Sequence, residues 1–134
     1  MHITLESDYA VRITGCLAES GERLDASKIS EKTGVSLRFA LKILRKLVSS
    51  DIVKSYKGAQ GGYELARAAS DITLRDVIDS IEGEYCLSRC LNSKDGFVCT
   101  NNGSPECSYA KVFSEISEMV NKKLESYNFE MMIK

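Results

Sequence analysis

The sequence predicts a mainly α-helical protein with one small β-hairpin, and three observations lead to that prediction. Apolar residues recur at helical spacing in five segments of the chain. The glycine-rich stretch GAQGG separates two short apolar runs, which is typical of a hairpin. The last 27 residues, 108–134, form one amphipathic segment, which predicts a long C-terminal helix.

Length and composition indicate one globular domain without a membrane anchor. The chain has 134 residues, of which 43% are hydrophobic and 28% charged, and these values suit a compact domain with its own core. No apolar run approaches the roughly 18 residues that a membrane helix needs. Charges interrupt the N-terminal apolar stretch and no basic segment precedes it, so we expect no secretory signal. The protein is therefore predicted to be cytoplasmic, with no membrane partner.

The first three helices are predicted from their apolar spacing and their terminal residues. The first spans about residues 8–19 and ends at Gly21. The second is short, with Asp25 as its N-cap and Gly34 as its C-terminal stop. The third begins after Ser36, and its predicted buried stripe follows i, i+3, i+4, i+7 spacing: Ala40, Ile43, Leu44 and Leu47.

The second and third helices are joined by a tight turn that contains glycine, which is the pattern of a helix-turn-helix. Short strands are predicted around residues 52–53 and 63–65, on either side of GAQGG. A hairpin directly after a helix-turn-helix forms a wing. Thr73 is the predicted N-cap of a fourth helix that ends at Gly83. The predicted fold class is therefore a winged helix-turn-helix, assigned to residues 1–83.

Charge is distributed unevenly along a chain whose formal net charge is −1. Residues 28–67 contain nine lysines and arginines but three acidic residues, whereas residues 68–134 contain seven basic and eleven acidic residues. A basic segment next to a predicted wing favours double-stranded DNA as the partner. The alternative is an ordinary solvated charged surface.

The apolar stripe of residues 108–134 is longer than one small domain needs for its own core. It covers about five turns and consists of Val112, Phe113, Ile116, Met119, Val120, Leu124, Tyr127 and Met131. Pairing with the same helix of a second subunit would bury this stripe. Residues 108–134 are therefore predicted to be the dimerisation helix of a homodimer. Packing onto the chain's own first helix is the alternative, and both arrangements are compatible.

Four of the five cysteines fall in a polar segment, residues 84–107. Because the cytosol is reducing, grouped cysteines there favour metal, cluster or redox chemistry over structural disulfides. Cys90, Cys99 and Cys107 have the spacing C-x8-C-x7-C, and Cys86 precedes Cys90 by four residues. Structural zinc is not favoured, since paired C-x2-C motifs are absent from the sequence. Three or four thiolates could hold an iron–sulfur cluster, and surface thiols without a metal are the alternative.

Taken together, these motifs resemble a family of small bacterial regulators that includes the iron–sulfur cluster regulator IscR, the nitric oxide sensor NsrR and the cysteine-metabolism repressor CymR. The resemblance covers essentially the whole chain. It is carried by ITLESDYAVRI, TGVSLRFALKILRKL, KGAQGGYELAR and ITLRDVIDSIEG, followed by the three late cysteines. It implies a homodimer that binds a palindromic DNA operator, with recognition helices in successive major grooves and wings at the flanking minor grooves.

The resemblance and the helical wheel together indicate which residues contact DNA. Arg38 would read guanine edges, while Lys42, Lys54 and Lys57 would contact phosphates. The other candidates are Ser36, Phe39, Gln60, Gly61 and Tyr9. Gln60 departs from the proline and glycine that the family often has at the wing tip.

The resemblance also implies a [2Fe–2S] or [4Fe–4S] cluster held by Cys90, Cys99 and Cys107. IscR-like members take a fourth ligand three residues after the last cysteine, where this chain has Ala110. NsrR-like members use an aspartate from the first helix of the other subunit, and Asp8 occupies that place. The alternative role of Asp8 is helix N-cap. Cys86 and Cys16 compete as the fourth ligand, although Cys16 is predicted to be a small buried residue.

Other functional classes are weighed against this hypothesis. A cluster-free repressor of the same fold would be controlled by a protein partner or by a thiol–disulfide switch. An electron carrier or redox enzyme would have no use for a helix-turn-helix with a basic face. The sequence contains no C-x2-C motif and no Ser/His/Asp set. We therefore expect a protein that is not an enzyme and has no small-molecule substrate.

Overall fold

A computed structural model describes residues 2–92, 96–101 and 106–133. Within these ranges the chain forms six α-helices and one two-stranded antiparallel sheet. The elements are α1 (Leu5–Ser20), α2 (Ala26–Thr33), α3 (Leu37–Ser49), β1 (Val53–Tyr56), β2 (Gly62–Leu65), α4 (Leu74–Glu82), α5 (Ser108–Glu125) and α6 (Phe129–Met132). No helix in the described ranges is both long enough and apolar enough to span a bilayer.

The hydrophobic core lies where α1, α2, α3 and the hairpin meet. All four residues of the predicted α3 stripe are completely buried, and so are Ile13 of α1 and Ile29 of α2. Val77 of α4 is buried in the same hydrophobic core. Because these apolar side chains leave water together, burial of a single stripe on each helix holds three short helices in one arrangement.

The helix ends confirm most of the predicted capping residues. Asp25 and Ser36 accept backbone N–H bonds at the starts of α2 and α3. Thr73 forms a reciprocal capping box with Asp76 at the start of α4. At α1 the prediction was wrong: the helix begins at Leu5, and Thr4, not Asp8, is its N-cap. Asp8 lies one turn inside the helix, so capping does not account for it.

The hairpin has the predicted wing topology. Val53 pairs with Leu65 and Tyr56 with Gly62, in antiparallel register. An isolated bridge between Leu24 and Tyr63 extends the sheet towards the turn between α1 and α2. A side chain at Gly62 would come within 2.7 Å of the Leu24 carbonyl oxygen, and Gly62 has a φ of 144°. This glycine therefore allows the wing to lie directly against that turn.

The prediction of one continuous helix over residues 108–134 was wrong. Helix α5 ends at Glu125, and Asn128 caps the short helix α6. The intervening backbone pairs with the start of α4: the Leu74 N–H donates to the Tyr127 carbonyl at 2.8 Å, and the Phe129 N–H donates to the Ile72 carbonyl at 3.1 Å. These bonds, together with the buried ring of Phe129, return the chain to its own core.

Candidate nucleic-acid interface and cysteine segment

Helix α3 presents a basic face to solvent. Its apolar stripe is buried, so Arg38, Lys42 and Arg45 lie on the opposite, exposed side. Leu37, Phe39 and Leu41 are also exposed, by 44%, 43% and 41%. Exposed apolar side chains that cluster beside charged ones are a feature of interaction surfaces. The exposed face therefore offers both cationic and apolar groups to a ligand.

The N-terminal half of α1 packs beside this face through aromatic and charged side chains. The rings of Tyr9 and Phe39 meet edge to face, with centroids 6.1 Å apart. The Arg12 guanidinium lies 5.4 Å from the centroid of the Tyr9 ring and 2.7 Å from Asp8. A continuous chain of contacts thus runs from Asp8 to α3. Two predicted DNA-contact residues, Tyr9 and Phe39, lie in direct contact.

A second contact between α1 and α3 was missed by sequence reasoning. The carboxylate of Glu6 bridges the ammonium groups of Lys42 and Lys46, with each N–O distance 2.8 Å. Hydrogen bonds from these two lysines lower the pKa of Glu6 to about 2. Glu6 precedes its partners by 36 and 40 residues, so no local pattern could have identified this interaction.

The wing is braced by Arg23, which sequence reasoning also missed. Its guanidinium lies 3.4 Å from the centroid of the Tyr56 ring and donates to the Gln60 carbonyl at 3.0 Å. The Tyr56 hydroxyl donates to Glu64 at 2.5 Å, and this bond raises the pKa of Tyr56. Lys54 and Lys57 remain exposed on the same hairpin. The hairpin therefore presents Lys54 on β1 and Lys57 in the loop after it, both on a well-supported backbone.

The cysteines remain separate thiols in the structure. None of the five, all of which belong to the described residues, forms a disulfide. Cys90 is exposed and lies 3.2 Å from the Ser88 hydroxyl. The Cys99 sulfur accepts from the Asn101 N–H at 3.4 Å. Cys107 directly precedes α5, at its N-cap position.

The first part of the cysteine segment is anchored to α5. Asn121 donates to the Tyr85 carbonyl at 3.1 Å, and the Leu87 N–H donates to the Ser117 hydroxyl at 2.9 Å. Both α5 side chains are buried. Cys86 lies between these anchors, in the wall of a cavity of about 560 Å³. Its position is therefore determined by α5.

Arg75 joins α4 to both the cysteine segment and α5. Its guanidinium lies 3.3 Å from Asp79 on its own helix, 3.2 Å from Glu84 and 3.1 Å from Glu125. Glu84 begins the cysteine segment and Glu125 ends α5. One side chain thus connects the winged helix with both neighbouring parts of the chain.

The predicted cluster ligands fit an iron–sulfur cluster in their chemistry, since Cys90, Cys99 and Cys107 supply three thiols on one surface segment. Their positions do not form a ready-made site. Among the described residues, no three His, Cys, Asp or Glu side chains are close enough to hold a metal ion. Asp8 is engaged with Arg12. Cys16 packs half-buried against the core, and burial raises the pKa of its thiol, which fits its predicted structural role.

Comparison with known proteins identifies similar sequences over the whole chain. The model of the Rrf2 family, described as iron-dependent transcriptional regulators, matches residues 3–134. Protein aau3 of Rhizobium meliloti is 36% identical over 94 residues, which cover 69% of this chain and 61% of that protein. The HTH-type transcriptional regulator NsrR of Oceanobacillus iheyensis is 28% identical over 137 residues, covering 100% of this chain and 90% of that protein.

Solved structures support the same fold. The structure of CymR, the global cysteine regulator of Bacillus subtilis, matches with a TM-score of 0.77 at 23% identity. The match covers 97% of this chain and 94% of that one. This likeness confirms the winged-helix architecture predicted from the sequence.

Proposed function

The chain belongs to the Rrf2 family of transcriptional regulators. From that premise we propose that it acts as a homodimer that binds a palindromic DNA operator. The observation that carries this proposal is the exposed basic face of α3 beside a braced wing. Recognition helices with such faces enter the major groove, and two of them related by symmetry read two half-sites.

Each predicted DNA residue takes a role that suits its chemistry. Arg38 would donate two hydrogen bonds to a guanine edge. Lys42, Lys54 and Lys57 would contact phosphates, which position the protein without reading sequence. The remaining predicted contacts are Ser36, Phe39, Gln60, Gly61 and Tyr9. Ser36 also caps α3, so its hydroxyl supports the helix as well as facing the DNA.

Selection of binding sequences from random duplexes, followed by titration of the Arg38→Ala variant, tests the DNA-binding proposal. We expect a palindromic consensus, and a loss of about 1–3 kcal/mol of binding free energy for Arg38→Ala. Lys111→Ala removes one charge from the exposed surface of α5 and should leave affinity unchanged. Equal affinity of wild type and Arg38→Ala for the selected duplex would show that α3 does not read the bases.

The dimer proposal is supported by the exposed apolar side chains of α5. Tyr109, Val112 and Met119 are exposed by 67%, 51% and 64%. A second copy of α5 would cover them. Sedimentation should give twice the monomer mass, and Met119→Glu should shift the equilibrium towards monomer. A wild-type protein that sediments as a monomer at micromolar concentration would contradict this part of the proposal.

We further propose that Cys90, Cys99 and Cys107 hold an iron–sulfur cluster, with Asp8 of the partner subunit or Cys86 as the fourth ligand. Such a cluster would supply an oxidisable centre whose carboxylate ligand exchanges readily. Support comes from the three thiols on one segment and from the family's description as iron-dependent. On the protein side, Arg12 and Tyr9 connect Asp8 to Phe39 of α3. A change in what Asp8 binds would therefore reach α3 through Arg12 and Tyr9.

Purification without oxygen, with a visible spectrum and assays of iron and acid-labile sulfide, tests the cluster proposal. Visible absorbance with stoichiometric iron and sulfide is expected, and Cys90→Ala, Cys99→Ala and Cys107→Ala should each abolish it. If Asp8 is the fourth ligand, Asp8→Ala should alter the spectrum without removing all iron; if Cys86 is, Cys86→Ala should do so. A colourless protein that resists reconstitution would overturn the proposal.

A thiol–disulfide switch is the second candidate. It is favoured by the absence, within the described ranges, of three metal donors that are already grouped. Two thiols would lose two protons and two electrons to a peroxide, which is reduced to two waters, and the sulfurs would bond to each other. Metal-free protein whose DNA affinity changes reversibly with peroxide and reductant would support this candidate, whereas unchanged affinity would exclude it.

A further inference from the structure

Glu6, in the first turn of α1, binds two lysines of α3 through separate carboxylate oxygens. Oε1 lies 2.8 Å from the Lys42 ammonium nitrogen, and Oε2 lies 2.8 Å from that of Lys46. The two lysines are four residues apart, so they lie on the same side of α3. We call these three side chains the Glu6 bridge. Because the pKa of Glu6 is about 2, its carboxylate is charged at any pH used for DNA binding.

The first turn of α1 is held firmly, which gives Glu6 a fixed position. Thr4 caps the helix by accepting from the Ser7 N–H. The Thr4 N–H and the Ser7 hydroxyl both donate to Glu82 at the end of α4. Ser7 is completely buried. The Glu6 bridge therefore connects two supported elements and does not depend on a loose N-terminal arm.

Stability is a weak explanation for the Glu6 bridge. All three side chains are partly exposed, and the Lys42 side chain is 54% exposed. Exposed ion pairs contribute little to folding free energy. The chemistry of the site favours a role in DNA binding, because two ammonium groups held side by side on a proposed recognition helix suit a DNA phosphate. The Glu6 carboxylate resembles a phosphate in two respects: it carries negative charge, and its oxygens accept hydrogen bonds from the two lysines.

We propose that Lys42 and Lys46 form a binding site for a backbone phosphate of DNA and that Glu6 occupies this site as an internal substitute, which limits DNA affinity. The inference rests on the proposed DNA-binding role of α3. It adds Lys46, to which the sequence assigned no role. Glu6 acts through the lysines, so it is a positioning residue and not a DNA contact.

The test is the isosteric variant Glu6→Gln, titrated with a fluorescent mixed-sequence duplex of about 30 base pairs between about 50 and 200 mM salt. Loss of two exposed ion pairs should tighten binding roughly 2- to 30-fold. The slope of log K against log salt should steepen by about 1–2, since each freed lysine releases about one counterion. A merely structural role would lower the melting temperature without steepening this slope.

Glu19→Gln is the matched control. Glu19 is exposed near the other end of the same helix, about 20 Å along the axis at 1.5 Å per residue. The variant makes the same change in net charge, and it should reproduce neither the affinity gain nor the steeper slope. If the two variants change DNA affinity and slope equally, the change in net charge alone explains the result, and the inference is overturned.

A double-mutant cycle assigns the effect to the lysines. In a Lys42→Gln/Lys46→Gln background, Glu6→Gln should no longer raise DNA affinity. A gain that persists there would overturn the inference. So would weaker binding by Glu6→Gln alone, because Glu6 would then be orienting the lysines for DNA. If wild type and every variant fail to bind any duplex, the DNA-binding proposal fails too. If Glu6→Gln binds DNA with the same salt slope as wild type, only the role proposed for Glu6 is overturned.

Discussion

The winged helix and the cysteine segment are stabilised in different ways. In the described chain, the buried apolar side chains come from residues 10–78, with the single addition of Phe129. None of the described residues between 84 and 107 is fully buried. Ser117, which accepts from the Leu87 N–H, and Asn121, which donates to the Tyr85 carbonyl, anchor the start of that segment to α5.

This difference separates two kinds of functional site. The DNA-binding face consists of side chains on helices that are already fixed by a core, so it is organised before DNA arrives. The described part of the cysteine segment has no fully buried side chain, and polar contacts with α5 and Arg75 hold its start. One chain thus combines a surface supported by a buried core with a segment held by polar contacts.

The largest expected effect concerns Phe129, which belongs to the core of the winged helix although it follows the cysteine segment in the chain. Phe129→Ala should lower the free energy of unfolding by about 3–5 kcal/mol, since a fully buried ring is lost and a cavity remains. Urea unfolding followed by circular dichroism measures the change. Met131→Ala, at a side chain that is 62% exposed, should stay within about 0.5 kcal/mol of wild type. Similar effects of the two variants would place residues 126–133 outside the core.

The helix starts allow a smaller comparison of the two regions. Thr73 caps α4 through a reciprocal capping box, whereas Cys107 accepts no capping bond from the described residues at the start of α5. Thr73→Ala should therefore cost about 1 kcal/mol. Cys107→Ala should leave the stability of metal-free, reduced protein nearly unchanged. Both values come from urea unfolding, and an equal cost at both caps would show that Cys107 stabilises α5 without any bound group.

The smallest expected effect concerns acid stability and the Glu6 bridge. The folded-state pKa of Glu6 is about 2, below its ordinary value of 4.5. Its contribution to stability is therefore fully present above pH 4.5 and is lost as the pH falls through about 2. The stability difference between wild type and Glu6→Gln should shrink over this interval, as measured by urea unfolding at a series of pH values. A constant difference would show that the ion pairs do not stabilise the fold.

Much of the winged helix could be predicted because its signals are local. Asp25, Ser36 and Thr73 bond to backbone groups three residues away. The α3 stripe follows from helical geometry alone. Such features depend on residues within one or two turns, and a short stretch of sequence contains all of them. The predicted start of the first helix at residue 8 was wrong, because Thr4 offers an equally local cap four residues earlier.

The sequence by itself therefore determined the helices of the winged domain with most of their caps, the wing and the grouping of the cysteines. Only the tertiary structure decided the break after Glu125, the brace from Arg23 to the wing and the Glu6 bridge. Each of these joins residues 33 or more positions apart. An amphipathic stripe shows that a face will be covered but does not specify by what. Long-range contacts depend on the packing of the whole core, which no single segment encodes.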